Sequence, residues 1–301
     1  MMQGGGAAAQ EQTTESAPDL QGMLMHHLLD GNEIEFEIFG RGFTWDLHQY
    51  QMDPVHLGPL TIDFSPTKHI VFMFLAAILC LLVFIPIGRA MRHKYTNRAP
   101  TGVANAVEAL VVYFRDEVVR RNIGHGADAY TGYILTLFFF ILFMNLLGLV
   151  PFGSTPTGNF MVTGDLALVT FVVVEISSMT TLGLKGYMGT IFYAPPGLNP
   201  VGTAIMLVIL TPVEFLGKLT KPFALMIRLF ANMMAGHTLV LSLLGMIFMF
   251  AAIGPAKWGV AGASLGMVWA IMVLELFVAF LQAYIFAMLT SVFIGLGRHA
   301  H

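Results

Sequence analysis

A stretch of fifty residues, 201–250, is almost continuously apolar. At a rise of about 1.5 Å per residue, one helix of this length would run roughly 75 Å, whereas the hydrocarbon core of a bilayer is about 30 Å thick. We therefore predict a membrane helix that is strongly tilted, bent, or both. Pro212 and Pro222 are the candidate bending points.

The composition of the whole chain is typical of a polytopic membrane protein. Of the 301 residues, 56% are hydrophobic and only 11% are charged, which excludes an ordinary soluble domain. Four further apolar blocks are long enough to span a bilayer, at 69–88, 130–150, 165–185 and 258–297. The sequence thus predicts an all-α fold with five membrane-embedded helices. The last two form a long, strongly tilted hairpin.

A sixth helix, at 103–121, is predicted to lie on the membrane surface. Its apolar residues recur at the spacing of one helix face, namely Val103, Val107, Leu110, Val111, Phe114 and Val118. Charged residues supply the other side, namely Glu108, Arg115, Asp116, Arg120 and Arg121. This pattern favours an interfacial amphipathic helix.

The first 67 residues differ from the rest in charge. They contain ten of the eighteen acidic residues but a single base, Arg41. We predict an acidic N-terminal segment, 1–67, followed by a membrane domain, 68–301. Residues 1–20 lack the features of a signal peptide and are predicted to be disordered, whereas the alternation at 33–38 predicts a short strand.

Basic residues predict the orientation of the chain in the membrane. The loop that follows the first span carries Arg89, Arg92, Lys94 and Arg98, so the positive-inside rule places it in the cytoplasm. The acidic N-terminal segment then lies outside, as does the base-free loop 151–164. Lys185 and the C-terminal tail lie inside.

One permanent charge lies in the middle of the 201–250 segment. Arg228 is placed at bilayer depth, where a charge costs about 3 kcal/mol or more on insertion scales. Arginine stays protonated, so it cannot be neutralised as a lysine or a carboxylate can. Because an intramembrane cation commonly marks a pathway for ions or protons, we predict that Arg228 is functional.

The helical period assigns the other polar residues of the last two helices to particular helix faces. Asn232 follows Arg228 by four residues and shares its face, whereas His237 lies nine residues on, half a turn away. Glu275 and Gln282 are seven residues apart and share one face of the final helix.

Two of the titratable groups lie on opposite sides of Arg228. Glu214 precedes it by fourteen residues, toward the cytoplasmic end, and His237 lies toward the outer end. Histidine and glutamate exchange protons near neutral pH when their surroundings perturb them. The pattern indicates two polar groups, offset to opposite membrane surfaces, with a fixed cation between them.

Three motifs in these helices resemble the signatures of one family. Residues 222–237, with Met-Ile-Arg-Leu-Phe-Ala-Asn-Met-Met-Ala-Gly-His, are similar to the signature of subunit a of F-type ATP synthases. Residues 281–290 resemble the family's second signature, and residues 143–151 resemble a third. The resemblance covers roughly residues 69–297.

The resemblance implies a stator beside a rotating ring of c subunits, with two offset aqueous half-channels. Arg228 then corresponds to the essential arginine that faces the ring carboxylates, and Glu214 to a position on the cytoplasmic side. The positions matched on the outer half-channel are Asn232, His237, Glu275 and Gln282.

The same resemblance implies the surroundings of the chain. The expected partners are the c-subunit ring, b-type peripheral stalk subunits, membrane lipid and, indirectly, the F1 sector, with no nucleic acid. A bacterial inner membrane is the expected location, and proton translocation without catalysis by the chain alone is the expected role. No nucleotide-binding motif occurs, and we expect no cofactor and no metal.

Two other functions fit part of the pattern. A secondary transporter would use the buried arginine to bind an anionic substrate, although two related halves with broken helices are then expected and none is visible. A membrane scaffold would not explain a deep arginine near histidine and glutamate. The sequence assigns no role to Lys218 and Lys221 beyond positive-inside anchoring, and Glu175 falls in mid-span without an assigned role.

Overall fold

The computed structural model describes residues 33–38, 41–50, 55–57, 60–62, 65, 67–93, 99–150, 155–192, 199–250 and 254–298. Two antiparallel hairpins precede the helices. Strand β1 (Glu33–Ile38) pairs with β2 (Arg41–Asp46), and β3 (Val55–Leu57) pairs with β4 (Leu60–Ile62). The strand predicted at 33–38 is confirmed, whereas the disorder predicted for 1–20 lies outside the described residues.

The helices follow in the order that the apolar blocks predict. They are α1 (Lys68–His93), α2 (Val103–Tyr113), α3 (Arg121–Ile123), α4 (Asp128–Leu149), α5 (Phe160–Ile191), α6 (Pro200–Met249) and α7 (Ala256–Arg298). Within the described ranges, five of them (α1, α4, α5, α6 and α7) are long and apolar enough to cross a membrane. The predicted fold class is confirmed.

Helix α5 begins five residues before the predicted span and contains an unpredicted break. The side chain of Asn159 accepts a hydrogen bond from the backbone N–H of Met161 (2.8 Å), which caps the first turn. Gly183 has φ 69° and ψ 168°, a conformation that glycine adopts without steric cost. The helix therefore changes direction near its C-terminal third.

A π-helical segment, Phe114–Arg120, joins α2 to α3. Its wider turn places two consecutive valines, Val118 and Val119, in the interior, although a regular α-helical period selects only the first of them. At the other end of the predicted apolar face, Val103 is exposed. On the polar side, hydrogen bonds from Arg115 and then the charge of Arg120 lower the pKa of Asp116.

The core lies where α4 and α7 pack against the π-helical segment. Its fully buried side chains include Phe114, Ile123, Ile134, Ile141, Met144, Phe286 and Ile294. At Gly295 the last turns of α7 approach the backbone of α3 so closely that an added Cβ would lie 2.0 Å from the carbonyl oxygen of Asn122. This close contact fixes one end of α7.

Helix α6 is attached to this core by a narrow stripe. Its described buried residues are Leu225, Met226, Leu229, Met233 and Gly245, and both Pro212 and Pro222 lie inside the helix. Large apolar side chains remain exposed along α6 and α7, among them Phe223, Ile227, Trp269, Leu274 and Phe277. Within a membrane, such a surface faces lipid or another apolar protein.

Candidate functional site

Arg228 lies on the face of α6 that the rest of the described chain leaves uncovered. The residue is exposed, whereas its neighbour Leu229 is completely buried. Within the described residues, no hydrogen bond or ion pair reaches the guanidinium of Arg228. Ala224, Ala231 and Ala235 are also exposed and share its face, so small side chains flank the charge. A partner helix can approach such a surface closely.

One turn beyond Arg228, a hydrogen bond joins the two long helices. The Nδ2 atom of Asn232 on α6 donates to Oε1 of Gln282 on α7 at 2.8 Å. Gln282 is buried, and its Nε2 atom has no hydrogen-bond partner within the described part of the chain. This amide therefore offers a free donor beside a contact that holds α6 and α7 in register.

His237 binds a residue that the sequence pattern did not indicate. Its Nε2 atom lies 2.5 Å from Oγ1 of Thr155, in the segment between α4 and α5. Thr155 can approach because Gly148 has no side chain: a Cβ there would lie 1.8 Å from the same Oγ1. Gly148 belongs to the motif 143–151, whose resemblance to a family signature assigns no role to this glycine.

A second contact fixes the segment that carries Thr155. The hydroxyl of Thr157 donates to Oδ1 of Asn145 at 2.8 Å, and the amide of Asn145 donates to the backbone oxygen of Ala279 at 3.3 Å. Asn145 and Thr157 are fully buried. Helices α4 and α7 thereby hold Thr155 against His237.

Glu275 lies against α6 at the residue that precedes His237. Its Oε1 atom is buried without a hydrogen-bond partner among the described residues, and an added Cβ at Gly236 would lie 2.0 Å from that oxygen. Glu275 and His237 share no direct hydrogen bond among the described residues. A buried acceptor and a half-buried imidazole nevertheless occupy the same end of the helix pair.

Glu214 lines a cavity of about 100 Å³ at the other end of α6. Lys218, Lys221 and Glu175 line the same cavity. Lys218, to which the sequence assigns only an anchoring role, forms an ion pair in the structure. Its Nζ atom lies 3.4 Å from Oε2 of Glu175. Lys221 lies over the ring of Phe293, with Nζ 5.7 Å from the centroid. Glu214 itself is exposed and has no ion-pair partner within the described ranges.

The two polar groups are well separated along α6. Glu214 precedes Arg228 by fourteen residues, about 21 Å along a straight helix, and His237 follows Arg228 by nine residues, about 14 Å. Asn232, Gln282 and Glu275 lie on the His237 side. The arrangement can relay protons at either end, with a fixed cation between the two ends.

The chain is similar to known proteins along most of its length. The family model described as the ATP synthase A chain matches residues 70–295. A protein named ATP synthase subunit a from Chloroherpeton thalassium is 42% identical over 275 residues, which cover 90% of this chain and 75% of that protein. A protein of the same name from Anaeromyxobacter dehalogenans is 44% identical over 288 residues, which cover 94% and 71% of the two chains.

Proposed function

The chain belongs to the ATP synthase A chain family, and we propose that it conducts protons to and from a rotating ring of c subunits. It is a multi-pass membrane subunit of the Fo sector and not an enzyme on its own. The observation that carries the proposal is Arg228 on the uncovered face of α6, without an ion-pair partner among the described residues and between two separated groups of polar side chains.

On the outer side, protons pass Glu275, His237, Gln282 and Asn232 and neutralise a carboxylate of the ring. Two buried atoms without described partners, Oε1 of Glu275 and Nε2 of Gln282, support this path. Buried polar atoms are normally hydrogen-bonded, so an unpartnered acceptor and an unpartnered donor mark places where water or a ring carboxyl group binds. His237, held by Thr155, lies at the same end.

A neutral carboxylic acid can then rotate into lipid, where an ionised one would be too costly. After nearly a full turn, the site reaches the inner cavity and gives up its proton near Glu214. Arg228 favours the ionised carboxylate because opposite charges attract strongly in a medium of low dielectric constant. The same cation repels protons and so bars a direct leak between the two half-channels.

The surroundings follow from the same proposal. The N-terminal segment, 1–67, lies outside, and the C-terminus of the membrane domain, 68–301, lies in the cytoplasm of a bacterial cell with the chain in the inner membrane. The ring of c subunits covers the Arg228 face, b-type stalk subunits hold the chain stationary, and the F1 sector is reached indirectly. Base-rich residues 89–98 support this orientation.

Replacement of the central cation tests the proposal. We expect Arg228→Ala to abolish ATP-driven proton pumping and ATP synthesis while the complex still assembles. Arg228→Lys should also fail, because a lysine loses its proton in a dry site. The measurements are fluorescence quenching by acidification of inverted vesicles, ATP synthesis, and copurification of a ring of small two-helix subunits.

A matched control separates position from charge. Arg121→Ala removes an exposed arginine at the start of the short helix α3. Its side chain pairs with Glu117 of the π-helical segment at 3.2 Å. This variant should retain coupled synthesis. Normal synthesis in an assembled Arg228→Ala complex would overturn the proposal.

A further inference from the structure

Lys218 has two carboxylates within its reach. Glu214 precedes it by four residues on α6, a spacing at which glutamate and lysine attract each other on a helix surface. In the structure, the ammonium group instead contacts Glu175 on α5, at 3.4 Å from Oε2. Glu214 consequently has no described ion-pair partner, although a lysine of the same helix lies one turn away.

Several groups of α5 hold Lys218 in this position. The hydroxyl of Tyr187 donates to the same Oε2 of Glu175 at 2.5 Å, and the ring of Tyr187 lies 4.3 Å from Nζ of Lys218. The hydroxyl oxygen of Thr190 lies 3.3 Å from the same nitrogen. Tyr187 and Thr190 both follow the break at Gly183, so the change of helix direction helps to form this binding site.

Burial strengthens the contact between lysine and glutamate. The side chains of Glu175 and Lys218 are only 16% and 17% exposed, so water screens their attraction less than it would at the surface. Lys221 lies over the ring of Phe293. Helix α7 contributes Phe293, Leu296 and Gly297 to the cavity lining, and none of these residues is titratable. Lys218 is the cation one helical turn from Glu214, and its ammonium group contacts Glu175 instead.

We propose that Glu175 is a positioning residue for proton exchange at the inner half-channel. It retains Lys218 and so leaves the carboxylate of Glu214 without a counter-ion, free to take up and release protons. This inference rests on the proposed function, because it presupposes that protons pass Glu214.

Removal of the Glu175 charge should transfer Lys218 to Glu214. An opposite charge within about 4–6 Å stabilises an ionised carboxylate and moves its titration to lower pH by about 1–3 units. Glu214 would then bind protons from the cytoplasmic side only in more acidic medium. One pH unit is a tenfold change in proton concentration, so an acid shift of one unit means that the same pumping rate needs about ten times more protons in the medium.

The test measures ATP-driven proton pumping in inverted vesicles of the whole complex against the pH of the medium, which is the cytoplasmic side. Glu175→Gln keeps the size of the side chain and an acceptor for Tyr187. It should shift the pH profile to the acid side by about one unit and lower pumping about tenfold at the neutral end. The double variant Glu175→Gln/Lys218→Gln should return the profile toward that of the unmodified complex.

Two comparisons separate this mechanism from a loss of structure. Lys221→Gln combined with Glu175→Gln should not restore pumping, since Lys221 does not contact Glu175 among the described contacts. Tyr187→Phe keeps the ring beneath Lys218 and removes one hydrogen bond to Glu175, so it should shift the profile in the same direction by a smaller amount. A Glu175→Gln/Lys218→Gln variant no better than Glu175→Gln alone would overturn the inference, as would an unshifted profile in Glu175→Gln.

Failure of the proposed function has a different signature. If Glu214→Gln leaves pumping and its pH profile unchanged, protons do not pass Glu214, and the inner path is wrong. If Glu214→Gln impairs pumping while Glu175→Gln does not, the inner path stands and only the positioning role of Glu175 is lost.

Discussion

Because Gly236 contacts Glu275, one added methyl group at position 236 can test the proposed outer proton path. An alanine Cβ at position 236 would lie 2.0 Å from Oε1 of Glu275, 2.8 Å from its Cδ and 3.1 Å from its Cγ. Ordinary van der Waals contact begins near 3.4 Å, so the oxygen must move by about 1.4 Å. Gly236→Ala therefore displaces the carboxylate without removing it.

Two opposing terms leave the stability of the fold almost unchanged. A glutamate side chain driven from its preferred rotamer costs about 0.5–1.5 kcal/mol. Alanine is a better helix residue than glycine by about 1 kcal/mol, which offsets that cost. Because a misplacement of about 1 Å can lower the rate of a positioned reaction about a hundredfold, we expect the larger effect on proton transfer past Glu275.

The assay compares ATP-driven proton pumping with the amount of assembled complex. Gly236→Ala should reduce pumping per complex at least about tenfold while the purified subunit composition stays unchanged. Gly132→Ala is the matched control, because nothing lies within 4 Å of a Cβ at that exposed position of α4. Pumping in Gly236→Ala equal to that of the control would refute the idea that the position of Glu275 limits the outer path.

Variants at three further contacts are informative. Exchange of the outer pair, His237→Glu with Glu275→His, should recover part of the rate that either single change removes, and ATP synthesis no better than in the worse single variant would refute a shared relay. Thr155→Val should lower pumping more than Thr155→Ser, which keeps the hydroxyl near His237; equal rates would contradict a role for that bond. Gly295→Ala should reduce the yield of assembled complex, because a Cβ 2.0 Å from the carbonyl oxygen of Asn122 forces two backbones apart at about 1–3 kcal/mol.

The elements that depend on local pattern follow from the sequence. Apolar runs long enough to span a bilayer predict all five long helices, and the alternation at 33–38 predicts β1. Helical phase also places Asn232 on the face of Arg228, and both residues are exposed. These features depend on neighbours within a few turns, which hydrophobic periodicity records.

The contacts that shape the site do not follow from periodicity. Thr155 and His237 are 82 residues apart, and Glu175 and Lys218 are 43 residues apart. Each contact depends on where a loop or a helix break directs the chain, and an apolar pattern carries no such information. Gly183 shows the reason, since an isolated glycine in a membrane helix is common and only its positive φ reveals the break.

Orientation in the membrane rests on the distribution of basic residues, and thiol accessibility tests it directly. Glu214 and His237 are 23 residues apart, about 35 Å along a straight helix, so the two ends can reach opposite surfaces of a hydrocarbon core about 30 Å thick. In a chain with Cys80→Ser, a cysteine that replaces Glu214 should react with a membrane-impermeant reagent from the cytoplasmic side. A cysteine that replaces His237 should react from the outer side, and one that replaces Arg228 should react poorly from either, because the proposed ring would cover that face. Labelling of positions 214 and 237 from the same side would refute the two half-channels and favour a transporter with a single access pathway.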